Sequence, residues 1–559
     1  MKYAVGIDFG TESGRAVLVD VGSGEELGTV VHQYANGVID RHLPAPNENV
    51  RLEPDWALQD PADYIETVKT TVARLLDQTG VDPSDIVGVG IDFTACTMLP
   101  TTANGTPLCE LEEFRRWPHA WVKLWKHHAA QPEADRINQV GAEMRERWLP
   151  RYGGRISSEW FYAKSLQILD EAPDIYRAAD RLIEAADWVV WRLTGVETRN
   201  SCTAGYKAIW SKSDGFPERS FFAKLDPGFA DVVDEKMRRN ISSLGERAGG
   251  LSAEAASWTG LAPGIPVAVA NVDAHASVPA VGVTEPGTMV AVMGTSTCHM
   301  VLGSQLKLPQ GMCGVVEDGI IPGLFGYEAG QSAVGDIFSW FTRFAVPPEV
   351  HDRAIRDGLN LHQVLGRDAT LLKPGESGLL VLDWWNGNRS ILVDVDLSGL
   401  MLGATLATQP HEIYRTLLEA TAFGTRAIIE SLEAAGVPVN RVVACGGLPE
   451  RNKLLMQISA DVTGREFDIA ASTQAGAVGS AMHAAVAAGS AGVGYDSIEQ
   501  AAAAMARPHV GTFRPDPSAR KVYDQLYREY MTLHDYFGRG ANDVMKVLRA
   551  MRSQQGGGG

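Results

Sequence analysis

The sequence contains no Cys-x-x-Cys pair and no apolar run long enough to cross a bilayer. Its six cysteines are scattered over 559 residues, which disfavours a disulfide framework or a zinc site. Basic residues are also in deficit, because 50 Lys and Arg stand against 68 Asp and Glu, a formal net charge of -18. This deficit argues against nonspecific binding to nucleic acid or to an anionic membrane. We therefore expect a cytoplasmic protein with reduced thiols and no signal peptide.

Two common phosphate-binding signatures, the Walker A loop and GxGxxG, are missing as well. Instead, "VGIDFGTESGRAVLVD" (5–20) encloses a polar turn between two apolar segments, a pattern that predicts a β-hairpin. The residues that could surround a phosphate in this turn are Gly10, Thr11, Ser13, Gly14 and Arg15. They offer free backbone N–H groups, hydroxyls and one positive charge. Taken alone, the turn favours an ordinary hairpin whose polar side chains bond their own backbone.

The chain is too long for one hydrophobic core, so we expect two large domains. Apolar residues at helical spacing predict a helix after Trp56 that ends at Gly80. The residues between 110 and 260 predict helices and insertions around a cleft. Pro-Gly punctuation near 262 separates two halves. The predicted units are an N-terminal domain at 1–262, a C-terminal domain at 263–550 and a disordered Gly-rich tail at 551–559.

The second half repeats the opening pattern, since "MGTST" (293–297) echoes "FGTES" (9–13) between two strand-like segments. A pair of such hairpins, one in each domain, would hold a triphosphate from both sides of a cleft. Gly446 and Gly447 follow a third strand and precede a helix, where the backbone is open to a flat ligand such as adenine. Each feature alone has an ordinary structural explanation, but the three together favour a nucleotide.

Two aspartates are candidates for the chemistry of phosphoryl transfer. Asp273 follows the apolar strand "IPVAVA", where a carboxylate could accept the proton of an attacking hydroxyl. The alternative is that Asp273 only caps the helix that begins near Ala274. Asp8 ends the first strand and could hold Mg²⁺ directly or through water.

The order of these features resembles the actin/hexokinase/Hsp70 ATPase superfamily and, within it, the FGGY family of carbohydrate kinases. The family resemblance lies in "WALQDPADY" (56–64), "NVDAH" (271–275) and "GGLPERNKLLMQISADVTG" (446–464), and it runs from about residue 3 to about residue 545. It implies an α/β fold with two ribonuclease H-like, actin/hexokinase-type ATPase domains around a cleft. It also implies ATP and Mg²⁺ as cofactors and Asp273 as the catalytic base.

Further motifs resemble the branch of this family that acts on L-ribulose, among them "DFTACTMLP" (92–100), "GYEAGQSAVGDIF" (326–338) and "DWWNGNRS" (383–390). The residues that this resemblance implies in sugar binding are Ala95, Trp125, Lys207, Asp273 and Glu328. Those implied in ATP binding are Thr11, Ser13, Arg15, Gly294, Thr295, Gly330, Gly446, Gly447 and Asn452. The implied reaction converts L-ribulose and ATP into L-ribulose 5-phosphate and ADP, in L-arabinose breakdown. Glu12 departs from the common family pattern but resembles the branch that acts on L-ribulose, and no role is assigned to it.

Other interpretations of the same residues stay open. The chain could be a sister kinase for xylulose or ribitol, or a non-catalytic, nucleotide-gated sensor on the same fold. Trp125 could be a core residue, and Lys207 and Glu328 could form an ordinary ion pair. The adjacent His127 and His128 face different sides of a helix and lack a carboxylate partner, which excludes a metal site there. The expected partners are a sugar, ATP and, as a candidate homodimer, a second copy of the chain.

Overall fold

The computed structural model of the protein describes residues 1–556. The strands, numbered in chain order, are β1 (Tyr3–Phe9), β2 (Ser13–Asp20), β3 (Glu26–Gln33), β4 (Leu58–Gln59), β5 (Ile86–Phe93), β6 (Met98–Thr101), β7 (Val122–Lys123), β8 (Arg181–Glu184), β9 (Arg247–Gly250), β10 (Pro266–Ala268), β11 (Asn271–Val272), β12 (Gly287–Met293), β13 (Thr297–Gly303), β14 (Gly314–Glu317), β15 (Phe325–Gln331), β16 (Leu380–Leu382), β17 (Leu400–Leu402), β18 (Val439–Cys445), β19 (Glu466–Ile469) and β20 (Gly511–Phe513).

The α-helices are α1 (Pro61–Thr79), α2 (Gln131–Met144), α3 (Phe161–Glu171), α4 (Pro173–Ala178), α5 (Ala185–Thr194), α6 (Ser201–Lys207), α7 (Arg219–Leu225), α8 (Ala253–Thr259), α9 (Asp273–Ala280), α10 (Val334–Phe344), α11 (Pro348–Asp357), α12 (Leu361–Thr370), α13 (Pro410–Ala434), α14 (Gly447–Arg451), α15 (Lys453–Thr463), α16 (Ala475–Ala488), α17 (Ile498–Met505), α18 (Pro517–Gly538) and α19 (Val544–Gly556). Within residues 1–556, no helix combines the length and the apolar character needed to cross a membrane.

The first large sheet has the strand order β3-β2-β1-β5-β10-β9, with β11 also paired to β5. Strands β3, β2 and β1 run antiparallel, whereas β1, β5 and β10 run parallel. The predicted hairpin at 5–20 is confirmed as β1 and β2. The helix predicted after Trp56 is confirmed as α1, which ends at Gly80 in the left-handed conformation (φ 64°).

The second large sheet repeats this arrangement, with the strand order β14-β15-β13-β12-β18-β19-β20. Strands β15, β13 and β12 run antiparallel, and β12, β18 and β19 run parallel. The predicted second hairpin is β12 and β13, so the repeated Gly-Thr motif lies at equivalent turns of the two sheets. The predicted α/β fold with two similar halves is confirmed.

The change from one sheet to the other falls between Val272 and Gly287, because β10 and β11 still pair with β5. This is later in the chain than the predicted boundary after residue 262. At the other end, α19 continues to Gly556, so the segment 551–556 is helical where a disordered tail was predicted. The last three residues of that tail lie outside the described residues.

Helix α16 comes late in the chain but packs on the first sheet, against β1, β5 and α9. Glycines permit this close approach. A Cβ on Gly6 would lie 1.7 Å from the Ala477 carbonyl oxygen, and one on Gly90 would lie 1.9 Å from that of Ser480. The Ala-rich sequence of α16 is therefore an interface between the halves, and its N-terminus reaches the end of β5.

Candidate active site

Three aspartates lie at the carboxyl ends of neighbouring strands of the first sheet. Asp8 of β1 is directly opposite Asp92 of β5, and Asp92 is opposite Asn271 of β11. Asp273 follows β11 and is the first residue of α9. The C-terminal ends of parallel strands lie at the same edge of a sheet, so the strand order alone brings these three side-chain carboxyl groups together.

Burial and mutual repulsion shift the pKa values of these groups. Burial first, and then the charge of Asp8, raise the pKa of Asp273 to about 7, although the Ala274 N–H and Lys207 act in the opposite direction. Burial and the Asp8 charge also raise the pKa of Asp92 well above its ordinary value. Burial raises the pKa of Asp8 while the Arg15 guanidinium lowers it. A carboxyl group that titrates near neutrality suits a general base.

The two carboxylate oxygens of Asp273 have different surroundings. Oδ1 accepts a hydrogen bond from the Ala274 N–H at 2.7 Å, which fixes the side chain at the start of α9. The other oxygen accepts no hydrogen bond from the described part of the chain. The alternative role as helix cap is not borne out, because Asp273 is the first residue of α9 and the N-cap is Val272. The bond to the adjacent Ala274 N–H leaves one carboxylate oxygen available to a substrate hydroxyl.

The first turn, residues 10–12, is held by contacts from several elements. Arg15 Nε lies 3.4 Å from Asp8 Oδ2, and Arg15 Nη1 donates to Gln474 Oε1 at 3.1 Å, at the N-terminus of α16. Gly10 N–H donates to the Ser13 carbonyl oxygen at 3.0 Å, which closes the turn. The predicted phosphate residues Thr11, Ser13 and Arg15 therefore lie beside Asp8.

The second turn, residues 294–296, has an equivalent closure, since Gly294 N–H donates to the Ser296 carbonyl oxygen at 2.9 Å. Gly335, in the first turn of α10, donates its N–H to the Thr295 carbonyl oxygen at 2.9 Å. A Cβ on Gly335 would lie 2.6 Å from the Gly294 carbonyl oxygen. The N-terminus of α10 therefore packs against Gly294 and Thr295, the predicted phosphate residues of this turn.

The paired glycines have distinct environments. Gly446 has φ 92°, and a Cβ there would lie 2.6 Å from the Met293 carbonyl oxygen, so this position joins the loop to the end of β12. A Cβ on Gly447 would meet nothing within 4 Å, so its surface is open. Asn452 accepts from the Leu455 N–H at 3.0 Å and caps α15. The residues predicted to contact adenosine, Gly446, Gly447 and Asn452, thus lie in a loop that packs next to the second turn.

The second half of the site is a buried cluster of charged groups. Lys207 Nζ, at the end of α6, donates to both oxygens of Glu328 on β15, at 3.2 and 2.9 Å. His275 Nε2 lies 3.5 Å from Glu328 Oε2, and Arg389 Nη2 lies 3.5 Å from Glu328 Oε1. Lys207 and Glu328, both predicted to bind the sugar, therefore contact each other across the two halves of the chain.

The cationic neighbours of Glu328 determine its pKa. Burial would raise its pKa, but Lys207, His275 and Arg389 together hold the pKa well below its usual range. Burial would lower the pKa of Lys207, whereas the Glu328 carboxylate raises it above its ordinary value. Both groups are thus ionised at neutral pH and offer fixed hydrogen-bonding sites of opposite charge.

Two other predicted sugar residues, Ala95 and Trp125, lie on loops tied together by a buried lysine. Lys164 Nζ on α3 donates to the carbonyl oxygens of Cys96 at 2.8 Å and Leu124 at 2.7 Å. Trp125 Nε1 donates to Thr11 Oγ1 at 3.0 Å. The wall predicted for the sugar therefore also contacts the first phosphate turn.

Gly330, which the resemblance implies in ATP binding, lies on β15 and pairs with Cys298 of β13. It shares a face of β15 with Glu328, and a Cβ there would lie 2.8 Å from Cδ of Arg389. The structure thus brings it next to the charged cluster, with the Arg389 side chain over it. Glu12, without an assigned role, is exposed and lies against Gly37.

The prediction that the histidine pair lies on a helix without a carboxylate partner is wrong. Both residues lie between β7 and α2, and His128 Nε2 is 3.8 Å from Glu159 Oε1. His127 bonds Gln167 at 2.9 Å and lies beside Lys123. Among residues 1–556, no group of three or more His, Cys, Asp or Glu is arranged to hold a metal ion.

Sequence reasoning missed several residues of this site. Asp92 had a visible signal, because "GIDFT" (90–94) repeats "GIDFG" (6–10) and the two segments pair in register. Gln474 and Ser480 had none, since their contacts with Arg15 and Asp92 span more than 380 residues. Arg389 lay within a motif that resemblance had singled out, but no role was attached to it.

Comparison with known proteins adds an independent line of evidence. Residues 3–280 match the N-terminal domain of the FGGY family of carbohydrate kinases, and residues 289–488 match the C-terminal domain of that family. The first matched segment contains every strand of the first sheet, and the second contains most of the second sheet but not β20.

Individual relatives cover nearly the whole chain. The sequence is 58% identical over 554 residues to a ribulokinase from Halalkalibacterium halodurans, across 99% of this chain and 98% of the relative. It is 60% identical over 548 residues to a ribulokinase from Geobacillus thermodenitrificans, across 98% and 97%. A xylulose kinase structure from Rhodospirillum rubrum superimposes with a TM-score of 0.76 at 23% identity, across 95% of this chain and 98% of that one. At that identity the structural likeness concerns the fold.

Proposed function

Because this chain belongs to the FGGY family of carbohydrate kinases, we propose that it transfers the γ-phosphoryl group of ATP to the 5-hydroxyl of L-ribulose. The observation that carries this proposal is the 58–60% identity to ribulokinases over nearly the full chain. The products are L-ribulose 5-phosphate and ADP, and the reaction belongs to L-arabinose breakdown. The buried ion pair of Lys207 with Glu328 supports a polyhydroxyl ligand, because it offers donors and acceptors at one point.

Asp273 acts as the base in this proposal. Its free carboxylate oxygen accepts the proton of the 5-hydroxyl as the sugar oxygen forms its bond to the γ-phosphorus and the bond from that phosphorus to the β-phosphate oxygen breaks. The pKa of about 7 supports this role, since the group is largely ionised just above neutrality. Glu328 accepts from sugar hydroxyls and Lys207 donates to a hydroxyl or to the ketose carbonyl oxygen. Ala95 and Trp125 form the apolar wall.

The nucleotide lies between the two turns. The backbone and hydroxyl groups of residues 10–13 and 294–296 donate to the phosphates, and Arg15 adds a positive charge. Gly446, Gly447 and Asn452 border the adenosine. The open surface above Gly447 supports this arrangement, because a flat base can approach the backbone there.

Mg²⁺ fits the donor chemistry of this region. Asp8 offers a hard oxygen ligand that is 16% exposed at the carboxyl end of β1, and it would hold the ion directly or through water. When bound, the ion neutralises phosphate charge. Burial raises the pKa of Asp8, and the Arg15 guanidinium, 3.4 Å away, acts in the opposite direction.

The experiment that tests this function combines turnover with product analysis. The full chain is incubated with ATP, Mg²⁺ and L-ribulose, and phosphorus and carbon NMR follow the products. We expect one ADP per sugar phosphate, with the phosphate on carbon 5. Phosphorylation at another carbon, or ADP without a sugar phosphate, would contradict the proposal. A sensor that only binds nucleotide would give neither product.

A further inference from the structure

Arg389 lies between the sugar side and the phosphate side of the site. Its side chain covers Gly330, which is two residues along β15 from Glu328, a step of about 7 Å. Gly330 pairs with Cys298, only two residues beyond the second phosphate turn. The Arg389 side chain therefore runs from Gly330 to Glu328, along a strand whose neighbour, β13, begins next to the proposed second phosphate turn.

The local sequence keeps the arginine in this position. Ser390 Oγ accepts the N–H of Gly330 at 3.1 Å, which anchors the Arg389 backbone to β15. Only glycine leaves room at residue 330, because a Cβ would lie 2.8 Å from Cδ and 3.0 Å from Nε of Arg389. The side chain thus occupies a space that the strand leaves for it.

Arg389 differs from its charged neighbours in exposure and in pairing. Its side chain is 29% exposed, whereas those of Lys207 and Glu328 are 2% and 5% exposed. Glu328 is already bonded through both oxygens to Lys207, and Arg389 reaches it only at 3.5 Å. The described residues offer the guanidinium no other ion-pair or hydrogen-bond partner. A planar group with five donors is consequently open to the cleft.

The chemistry of the vacant donors selects an anion over a neutral hydroxyl. A guanidinium binds phosphate oxygens in a bidentate manner. The Cys313 thiol, Glu159 and Glu328 raise the pKa of Arg389 further above its ordinary value, so the group is cationic. Both Asp273 and Arg389 influence the thiol of Cys298: burial raises its pKa to about 12, Arg389 lowers it and Asp273 raises it. The charges of Asp273 and Arg389 therefore both act at this position of β13.

Resting on the proposed function, we propose that Arg389 contacts the phosphoryl group during transfer and binds the phosphate of the sugar-phosphate product. It neutralises charge on the equatorial oxygens from the sugar side, opposite to the phosphate turns. It therefore distinguishes the phosphorylated sugar from the free sugar, a property that Lys207 and Glu328 do not provide.

The test compares binding of L-ribulose and L-ribulose 5-phosphate to the full, nucleotide-free chain by calorimetry. Arg389→Met keeps the apolar stem and removes the charge. We expect its affinity for the sugar phosphate to fall at least about tenfold, the size of one charge-assisted hydrogen bond, while the affinity for the free sugar changes less than about twofold. Arg389→Lys should restore part of the loss, because the charge remains without the bidentate geometry.

Arg155→Met is the matched control, since Arg155 Nη1 lies 3.4 Å from the Val393 carbonyl oxygen and so contacts the same loop without facing Glu328. It should leave both affinities unchanged. Equal affinities of Arg389→Met and the parent for the sugar phosphate would overturn the proposal, and so would parallel losses for both ligands. Turnover of the parent is measured first. If it uses another sugar, that sugar and its phosphate replace the pair, so a wrong substrate and a wrong role for Arg389 give different results.

Discussion

Lys207 and Glu328 form a buried ion pair that joins the two halves of the chain at the proposed sugar site. The ammonium donates to both carboxylate oxygens, and neither side chain is more than 5% exposed. The lysine ends α6 beside the first sheet, and the glutamate lies on β15 of the second sheet. Any sugar bound here therefore contacts both halves at once.

Removal of the ammonium should damage both stability and sugar binding. Lys207→Met leaves Glu328 buried with only His275 and Arg389 nearby, so we expect a loss of about 3–5 kcal/mol in the free energy of unfolding. The kcat/KM for the sugar should fall at least about a hundredfold, with little change in the KM for ATP. Lys212→Met is the control, because its ion pair with Asp318 is 50% exposed at the lysine. Denaturant unfolding and steady-state kinetics measure both effects.

The pH dependence should follow Asp273. Since the base must be ionised and its pKa is about 7, kcat/KM should rise about tenfold per pH unit below that value and level off above it. Asp273→Asn should lower kcat by more than about a hundredfold and remove this dependence. A profile that is flat between pH 5.5 and 8 in the parent would contradict the assignment.

The same pKa has a consequence for stability. The folded protein keeps the Asp273 proton up to about pH 7, whereas an unfolded Asp releases it near 3.8. This carboxyl group therefore stabilises the fold at low pH, and its contribution is lost as the pH rises from about 4 to 7. Asp273→Asn should gain stability relative to the parent over that window and keep a constant difference above it, as followed by urea unfolding.

Much of the fold was predictable, because it depends on local patterns. The hairpins, α1 and the strand before Gly446 all follow from apolar periodicity and Gly punctuation. The placement of α16 on the first sheet did not follow, since its evenly small residues give no preferred face. Asp273, by contrast, could be predicted from the sequence, because it directly follows an apolar strand. Arg389 could not be predicted, because its position in the site depends on contacts with Gly330 and Glu328, some sixty residues earlier in the chain.

Lys164 should act on sugar binding through the loops that it ties. Lys164→Met leaves the Cys96 and Leu124 carbonyl oxygens without their buried donor, so the loops of Ala95 and Trp125 should loosen. We expect the sugar KM to rise about tenfold while the KM for ATP stays within about twofold. Lys236→Met is the control, because that buried lysine donates to the Ala179 carbonyl oxygen outside the site. Equal effects of the two variants on the sugar KM would refute this positioning role.

Gly446 and Gly447, in the proposed adenosine loop, should respond differently to replacement by alanine. Gly447→Ala meets no protein atom within 4 Å, so its stability should match that of the parent while the KM for ATP rises. Gly446→Ala, with φ 92° and the Met293 carbonyl oxygen in its path, should lose about 1–2 kcal/mol or more of stability. Gly366→Ala, also in open space, serves as the control. An unchanged KM for ATP in Gly447→Ala would remove this loop from the nucleotide site.

The proposed function is tested most directly by ADP release from the full chain with ATP, Mg²⁺ and a panel of L-ribulose, D-ribulose, D-xylulose and ribitol, with Asp273→Asn measured in parallel. The account predicts the highest kcat/KM for L-ribulose and loss of sugar-dependent ADP release in Asp273→Asn. A preference for another sugar, no sugar-dependent release, or full turnover in Asp273→Asn would contradict it.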